Sequence, residues 1–280
     1  MPTITDQDHL VTGQYKDAAN LTARSSLHER FSTNKAGWFG WVFDQLASLP
    51  AQSRVLELGC GPAWVWHHNR SRIPSGWHIV LTDLSPGMID QARSNLAAED
   101  DSQFEFDVVD SQAIPYHDAS FDAVLANHML YHVPDRPKAL AEIQRVLKPG
   151  GHLYAATNGQ NNLHEIHELM LEIDPDLEHR ARQTFGVSEF TLENGTAQLA
   201  PYFSSVVIRP YPDDLVVTEA EPLIAYILSM TTNAEVMANL SPADQQEKIN
   251  GTRRLVEDKI QKTGAIHISK SVGLFVATKG

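Results

Sequence analysis

The stretch Leu56–Ala63, which reads LELGCGPA, decides the fold of this protein. Its apolar residues end in two closely spaced glycines, a pattern that predicts a buried strand and a tight turn into a helix. Gly59 and Gly61 allow that turn and let a ligand approach the backbone closely. A dinucleotide-binding fingerprint requires a third glycine where Trp64 stands. Glu57 favours a cationic ligand over a pyrophosphate, and the alternative is a glycine turn with a capping glutamate.

Strands and helices alternate around this turn. Because helices of similar length separate the strands, we predict right-handed crossovers and a parallel, doubly wound α/β sheet. The helix that follows the second strand begins with Ser85 as its predicted cap. The predicted strands of this part cover residues 54–59, 77–85, 104–110, 121–130 and 152–158.

The chain is predicted to form a single catalytic domain with three parts. Residues 1–49 form an N-terminal helical cover, and residues 50–160 form the cofactor-binding core. Residues 161–280 supply the remaining strands and helical insertions that serve as a substrate lid. Such insertions commonly lie over the carboxyl ends of the strands, where open α/β sheets bind ligands. The last strand, at residues 271–279, is predicted to be an edge strand.

The composition is that of an acidic globular protein. Of its 280 residues, 22 are Lys or Arg and 35 are Asp or Glu, which gives a formal net charge of -13. This charge disfavours a nucleic-acid substrate, because phosphates are repelled. Cys60 is the single cysteine, which excludes an internal disulfide and fits a reducing compartment. Because no run approaches the roughly 18 apolar residues of a membrane helix, we predict a cytoplasmic protein without a membrane partner.

Two further carboxylates end predicted strands. Asp83 ends the second strand, where a carboxylate can accept hydrogen bonds from both hydroxyls of a ribose. The alternative is that Asp83 caps the turn into the next helix. Asp110 ends the third strand and can accept from an adenine amino group. Leu84 and Met88 can form an apolar wall for a purine or can belong to the core.

Four longer motifs follow one another along the chain: VLELGCGPA, TDLSPGMIDQAR, DSQAIPYHDASFDAV and HMLYHVPDRPKALAEIQRVLKPGG. In this order and spacing they resemble the class I S-adenosylmethionine-dependent methyltransferases. The resemblance is to the small-molecule group related to the ubiquinone/menaquinone-biosynthesis C-methyltransferases, and it covers roughly residues 50–160. It implies a Rossmann-like, mostly parallel seven-stranded sheet. It also implies S-adenosyl-L-methionine as the cofactor, S-adenosyl-L-homocysteine as the product and a small molecule as the methyl acceptor.

The resemblance assigns roles to individual residues. Glu57 is expected near the amino group of the cofactor, and Asp83 at its ribose. Ala63 replaces the third glycine of the family motif, which we interpret as its least demanding position. Tyr15 is a candidate to cover the sulfonium, although it can instead anchor a helix. The residues expected to bind the cofactor are Tyr15, Glu57, Gly59, Cys60, Gly61, Asp83, Leu84, Met88, Asp110, Ser111, Gln112 and Asn127.

Histidines are the candidates for proton transfer. Transfer of a methyl group from a sulfonium requires no metal, but an acceptor hydroxyl or carbon acid requires a base. His128 and His132 follow the fourth strand, and His28 belongs to the N-terminal cover; the alternative is that all three only pack or bond a loop. His164 and His167 have the spacing of a metal-binding pair, but no further ligand accompanies them, so no metal site is predicted.

Three functions are compatible with these patterns. The leading prediction is a methyltransferase that acts on a small molecule such as a natural product or secondary metabolite. An RNA or protein methyltransferase requires a basic groove, for which the pairs Arg70/Arg72 and Arg253/Arg254 are poor candidates. A cofactor-binding protein that transfers no methyl group, such as a cyclisation catalyst, is the third. The aromatic segment 38–43 can pack on its own core or on a second copy, so a homo-oligomer stays open.

Overall fold

The computed structural model describes residues 5–7, 19–97, 102–173, 190–230, 237 and 240–280. Helices α1 to α9 are Ala19–Phe31, Trp38–Asp44, Trp64–His68, Pro86–Leu96, Arg136–Val146, His164–Ile173, Gly195–Leu199, Ala220–Ser229 and Pro242–Thr263. Strands β1 to β9 are Arg54–Leu58, His78–Asp83, Phe104–Val108, Phe121–Asn127, Leu147–Asn158, Ser205–Pro210, Asp214–Val217, Ile266–Ser269 and Val272–Thr278. Short 3-10 helices cover Arg70–Arg72 and Leu130–His132.

Seven strands form one sheet in the order β3-β2-β1-β4-β5-β9-β6. The pairs β3–β2, β2–β1, β1–β4 and β4–β5 are parallel, whereas β9 pairs antiparallel with both β5 and β6. The predicted seven-stranded, mostly parallel α/β sheet is therefore confirmed. The strand order reverses between β1 and β4, which opens a crevice at the carboxyl ends of these two strands.

The prediction that the last strand lies at an edge is wrong. Strand β9 lies between β5 and β6, and five of its seven residues are buried. Strand β6 is the edge instead, and it exposes Val207 and Ile208. The physical reason is that β9 is covered on both of its faces, where the run GLFVA is apolar and largely buried.

Asp214–Val217 forms a strand outside the main sheet. It pairs antiparallel with Ile266–Ser269 in a small second sheet. The strand at Ile266–Ser269 was not predicted, because it is only four residues long and two residues separate it from α9 and two from β9. An isolated bridge joins Ser32 to Leu215, so the end of α1 is attached to this small sheet.

The apolar side chains form three buried clusters. Two clusters cover the two faces of the main sheet and contain the buried residues of β1, β4 and β5. The third cluster joins Leu27 and Phe31 of α1 to Leu223 and Ile227 of α8 and to Leu215 of β7. Residues from both ends of the chain therefore share one core beside the sheet. Within the described ranges, each helix is too short or too polar to cross a bilayer.

Candidate active site

A cavity of about 880 Å³ opens at the carboxyl ends of β1, β2 and β4. This is the position at which the strand order reverses, and its volume lies in the range of sites for small molecules and cofactors. The turn after β1 and the segment after β4 form two walls, and residues of α1, α2 and the loop before β9 form the others.

The glycine turn after β1 is held in a left-handed backbone conformation. Gly59 has a φ of 65° and Gly61 a φ of 52°. A Cβ added to Gly59 would lie 2.8 Å from Cβ of Met129, so glycine is required at this position. Ala63 has a φ of 58°, so it shares the left-handed conformation of the two glycines although it carries a Cβ. Our interpretation of position 63 as the least demanding one stays a prediction.

Glu57 lies at the floor of the cavity with 2% of its surface exposed. Its Oε2 accepts a hydrogen bond of 2.5 Å from Nε1 of Trp66. Burial raises the pKa of Glu57 to about 8, although the bond from Trp66 opposes this rise. A cation beside the carboxylate would stabilise its charged form, so the site is suited to a positively charged group.

Asp83 ends β2 and points into the same cavity. Its two carboxylate oxygens accept hydrogen bonds from the backbone nitrogen of Gly61 at 2.9 Å and from that of Ser85 at 2.8 Å. Ser85 in turn caps α4, as predicted, by accepting from the nitrogen of Met88. Burial raises the pKa of Asp83, and the backbone hydrogen bonds oppose this rise. Each oxygen retains a further lone pair, so the capping role and a ligand-binding role are compatible.

The polar residues after β3 are arranged around Asp110. Asp110 and Ser111 line the cavity, whereas Gln112 does not. The amide of Gln112 donates to both oxygens of Asp110, at 3.0 and 3.1 Å, and its Oε1 accepts from the nitrogen of Asp135. Gln112 therefore positions the carboxylate of Asp110 from outside the cavity. The contact of Gln112 with a cofactor stays a prediction. Gln7, which the sequence did not suggest, donates to Asp110 at 3.5 Å.

The remaining predicted cofactor residues differ in their placement. Leu84, Met88 and Asn127 line the cavity, and Oδ1 of Asn127 is buried without a hydrogen-bond partner among the described residues. Cys60 lines the cavity too, and burial raises the pKa of its thiol well above the usual value. This favours a role for its backbone over one for its sulfur. Tyr15 lies outside the described residues.

All three predicted histidines reach this cavity from different elements. His128 follows β4 with a φ of 55°, and its ring lies 5.1 Å from that of Trp38. His28 lies on α1, and its Nδ1 has no hydrogen-bond partner among the described residues. Burial and the nearby charge of Lys270 lower the pKa of His28 to about 3 and that of His128 to about 4. His132 lies in the 3-10 helix after β4.

The metal-like pair of histidines lies elsewhere. His164 and His167 are on α6 and do not line the cavity, and Nδ1 of His164 lies 3.3 Å from the carboxylate of Glu165. No group of three or more potential ligands is close enough to hold a metal ion within the parts of the chain that the structure describes.

Sequence reasoning missed a buried ion pair in the cavity wall. Nζ of Lys270 lies 2.6 Å from Oδ2 of Asp213, and the two side chains expose 6% and 0% of their surfaces. Tyr211 and Trp38, whose rings are 5.1 Å apart, lie beside this pair. Lys270 and Asp213 are more than fifty residues apart in loops, so no local pattern indicates that they meet.

Comparison with known proteins identifies the domain that contains this cavity. Residues 56–155, from β1 to β5, match the model of the family described as a methyltransferase domain. Residues 56–155 of this chain are therefore similar to that methyltransferase domain. The matched residues of the methyltransferase domain include the glycine turn, Asp83, Asp110 and Asn127.

Curated relatives resemble the methyltransferase domain over part of their length. A malonyl-[acyl-carrier protein] O-methyltransferase from Erwinia billingiae is 33% identical over 134 residues, which are 47% of this chain and 50% of that protein. A demethylmenaquinone methyltransferase from Clavibacter sepedonicus is 38% identical over 103 residues, 37% of this chain and 40% of that protein. The chain thus spans about half the length of the curated relatives it matches.

Solved structures share the fold of the whole chain. Phosphoethanolamine N-methyltransferase 2 from Haemonchus contortus, solved in complex with S-adenosyl-L-methionine, superposes with a TM-score of 0.58 at 19% identity. The match covers 98% of this chain and 59% of that chain. The likeness extends beyond the methyltransferase domain to the helices and strands that follow β5.

Proposed function

We propose that this protein binds S-adenosyl-L-methionine in the cavity and transfers its methyl group to a small-molecule acceptor, with S-adenosyl-L-homocysteine as the product. The observation that carries the proposal is the meeting of three polar side chains in one cavity. Glu57, Asp83 and Asn127 lie at the carboxyl ends of the neighbouring strands β1, β2 and β4, and all three line the cavity.

The residues of the cavity fit this cofactor. Buried Oδ1 of Asn127 has no partner among the described residues and can accept a hydrogen bond from the amino group. The free lone pairs of Asp83 can accept from the ribose hydroxyls. Leu84 and Met88 supply an apolar wall for the adenine, and the backbone of Gly59 and Gly61 lines the same cavity.

Bound S-adenosyl-L-methionine supplies an activated methyl group, which moves in line to the acceptor while the electron pair of the broken bond stays on sulfur. The protein aligns the acceptor and excludes water. For a hydroxyl acceptor, His128 or His132 takes the proton as the new bond forms, and His28 positions the acceptor. Because the pKa of His128 is lowered to about 4, its ring is neutral at physiological pH and can accept a hydrogen bond from the hydroxyl.

The third apolar cluster supports a role in covering the acceptor. We assign residues 1–49 to a cover, residues 50–160 to the cofactor-binding core and residues 161–280 to the last strands and a substrate lid. Leu27 of α1 and Leu223 of α8 share one buried cluster, so cover and lid act as one layer over the site.

The free thiol of Cys60 supports a reducing, cytoplasmic location. A homo-oligomer stays a prediction.

Calorimetric titration with S-adenosyl-L-methionine and S-adenosyl-L-homocysteine tests the proposal. We expect both to bind with micromolar affinity, and Asp83→Ala to weaken binding at least about tenfold through loss of hydrogen bonds to a charged group. Asp90→Ala is the matched control, because Asp90 is exposed on the adjacent helix α4. It should bind as the wild type does. Absence of binding by the wild type would refute the proposal.

A further inference from the structure

Lys270 is a buried cation in the wall of the cavity, on the side of β5 and β9. It lies two residues before β9, whose first residue pairs with Asn158 at the carboxyl end of β5. Glu57, Asp83 and Asp110 line the opposite side, at the ends of β1, β2 and β3. The cavity therefore has an acidic side, which suits a cationic cofactor, and a side that carries a buried ammonium.

The partner of Lys270 is already satisfied by other donors. Oδ1 of Asp213 accepts from Oγ of Ser32 at 2.6 Å, from Oγ1 of Thr33 at 3.2 Å and from the nitrogen of Asn34 at 2.9 Å, while Oδ2 accepts from Lys270. Burial alone would raise the pKa of Asp213, but the bonds from Lys270 and Ser32 outweigh it and lower the pKa. The carboxylate is thus shared among four donors.

The ammonium, in contrast, has unused hydrogen-bonding capacity. An ammonium has three N–H donors, and among the described residues Nζ of Lys270 donates to Asp213 alone. It also lies 5.0 Å from the ring centre of Tyr211. Asp213 accepts from four donors, whereas the ammonium of Lys270 donates to Asp213 alone among the described residues. The remaining N–H donors of Lys270 are therefore available to a ligand in the cavity.

Besides the carboxylate of Asp213, aromatic rings lie around the ammonium of Lys270. Tyr211 and Trp38 stand edge to face, and Trp38 also contacts the ring of His128. His28 packs edge to face on Tyr226, and both line the cavity. The charge of Lys270 contributes to the lowered pKa of His28 and of His128, so both rings lie within reach of its field. Flat rings beside a cation suit a planar, conjugated ligand that carries negative charge.

We propose that Lys270, held by Asp213, binds an anionic oxygen of the methyl acceptor, and that the acceptor is a planar conjugated molecule bearing a phenolate, enolate or carboxylate. His28 and His128 flank this oxygen as neutral hydrogen-bonding groups. Lys270 is a substrate-binding residue in this account, and Asp213 positions it. That the bound anion is the methyl acceptor rests on the proposed function. Binding of an anion beside Lys270 can be tested without methyl transfer.

Binding of three matched probes tests the subsite. The probes are 4-nitrophenolate, 4-nitrobenzoate and the neutral ether 4-nitroanisole, each titrated into the full chain with and without S-adenosyl-L-homocysteine at a pH where the first two are ionised. We expect at least one anion to bind at least about tenfold more tightly than the ether, a difference of about 1.4 kcal/mol. Preference for the phenolate indicates a hydroxyl acceptor, and preference for the benzoate indicates a carboxylate acceptor.

Two variants separate this role from a structural one. Lys270→Met should lose the preference for the anion while S-adenosyl-L-homocysteine binds within about twofold of the wild type. Because Lys270→Met leaves Asp213 buried without its cation, the double variant Lys270→Met/Asp213→Asn removes both charges and should fold, with the same loss of preference. Equal binding of anions and ether by the wild type, or an unchanged preference in the folded double variant, overturns the inference. Failure of S-adenosyl-L-homocysteine to bind overturns the proposed function instead.

Discussion

Oε2 of Glu57 accepts a hydrogen bond from the indole of Trp66 at 2.5 Å, and both side chains are buried beneath the glycine turn. The sequence places them nine residues apart, on a strand and on the helix that follows it. The indole is a donor only, so it stabilises the acceptor oxygen whether or not Glu57 carries a proton. The hydrogen bond from Trp66 fixes the carboxylate of Glu57 at the floor of the cavity.

The stability of the protein should fall as pH rises because of Glu57. Burial raises the pKa of Glu57 from its ordinary value of 4.5 to about 8, so between these values the folded state binds more protons than the unfolded state. The contribution is fully present below the lower value and is lost as pH rises through the higher one. In denaturant unfolding, the free energy of unfolding of the wild type should fall between pH 5.5 and pH 8 by roughly 3 kcal/mol more than that of Glu57→Gln. Parallel pH profiles of the two proteins would contradict this prediction.

The two buried histidines should stay neutral in mildly acidic solution. Burial and Lys270 lower the pKa of His28 to about 3 and that of His128 to about 4. Imidazole resonances recorded by NMR should therefore show neither ring titrating between pH 8 and pH 5. His28→Asn and His128→Asn assign the signals, and asparagine tolerates the left-handed backbone at position 128. A titration midpoint near the ordinary histidine pKa for either ring would contradict the burial of His28 and His128 in the structure.

Replacing Gly59 should destabilise the fold. Gly59→Ala combines a left-handed φ of 65° with a Cβ 2.8 Å from Cβ of Met129. Backbone strain and overpacking together should lower the free energy of unfolding by about 2–4 kcal/mol. Gly40→Ala is the control, because a Cβ there meets nothing within 4 Å and the residue lies in helix α2. Gly40→Ala should leave the free energy of unfolding unchanged or raise it by up to about 1 kcal/mol. A similar loss of stability in both variants would contradict the special requirement for glycine at position 59.

The bond between Ser32 and Asp213 should anchor the end of α1 to the wall of the cavity. Oγ of Ser32 donates to the carboxylate at 2.6 Å, and both residues are buried. Ser32→Ala should lower the free energy of unfolding by about 1.5–3 kcal/mol, the range for a hydrogen bond to a charged group. Ser94→Ala removes a hydroxyl that bonds a backbone oxygen on the exposed face of α4, and it should change stability by less than about 0.5 kcal/mol. Thermal or denaturant unfolding distinguishes the two outcomes.

The part of the fold around β1 to β5 follows from local sequence signals. Apolar strands of five or six residues end at Leu58 and Asp83, a glycine turn follows the first and a helix capped by Ser85 follows the second, so local signals place these elements. The order of the last strands does not follow in this way. Whether β6 or β9 is the edge depends on which strand is covered on both faces, and this is decided by packing against helices distant in sequence.

Some residues of the candidate site could also be predicted from the sequence, and others could not. Glu57, Asp83, Asp110 and Asn127 lie at or within two residues of the carboxyl end of a strand, and the topology of a parallel sheet brings such residues to one edge. Lys270 and Asp213 lie in loops near β9 and β7, and only the folded chain brings them together. The positive φ of Ala63 was not predicted, because a residue type other than glycine does not reveal it.

A crystal structure with S-adenosyl-L-homocysteine tests the central proposal most directly. We predict that the ribose hydroxyls lie within hydrogen-bond distance of Asp83, that the adenine packs between Leu84 and Met88, and that the amino group lies near Asn127 and Glu57. A ligand bound outside the cavity, or one within it that leaves Asp83 without a contact, would contradict the account.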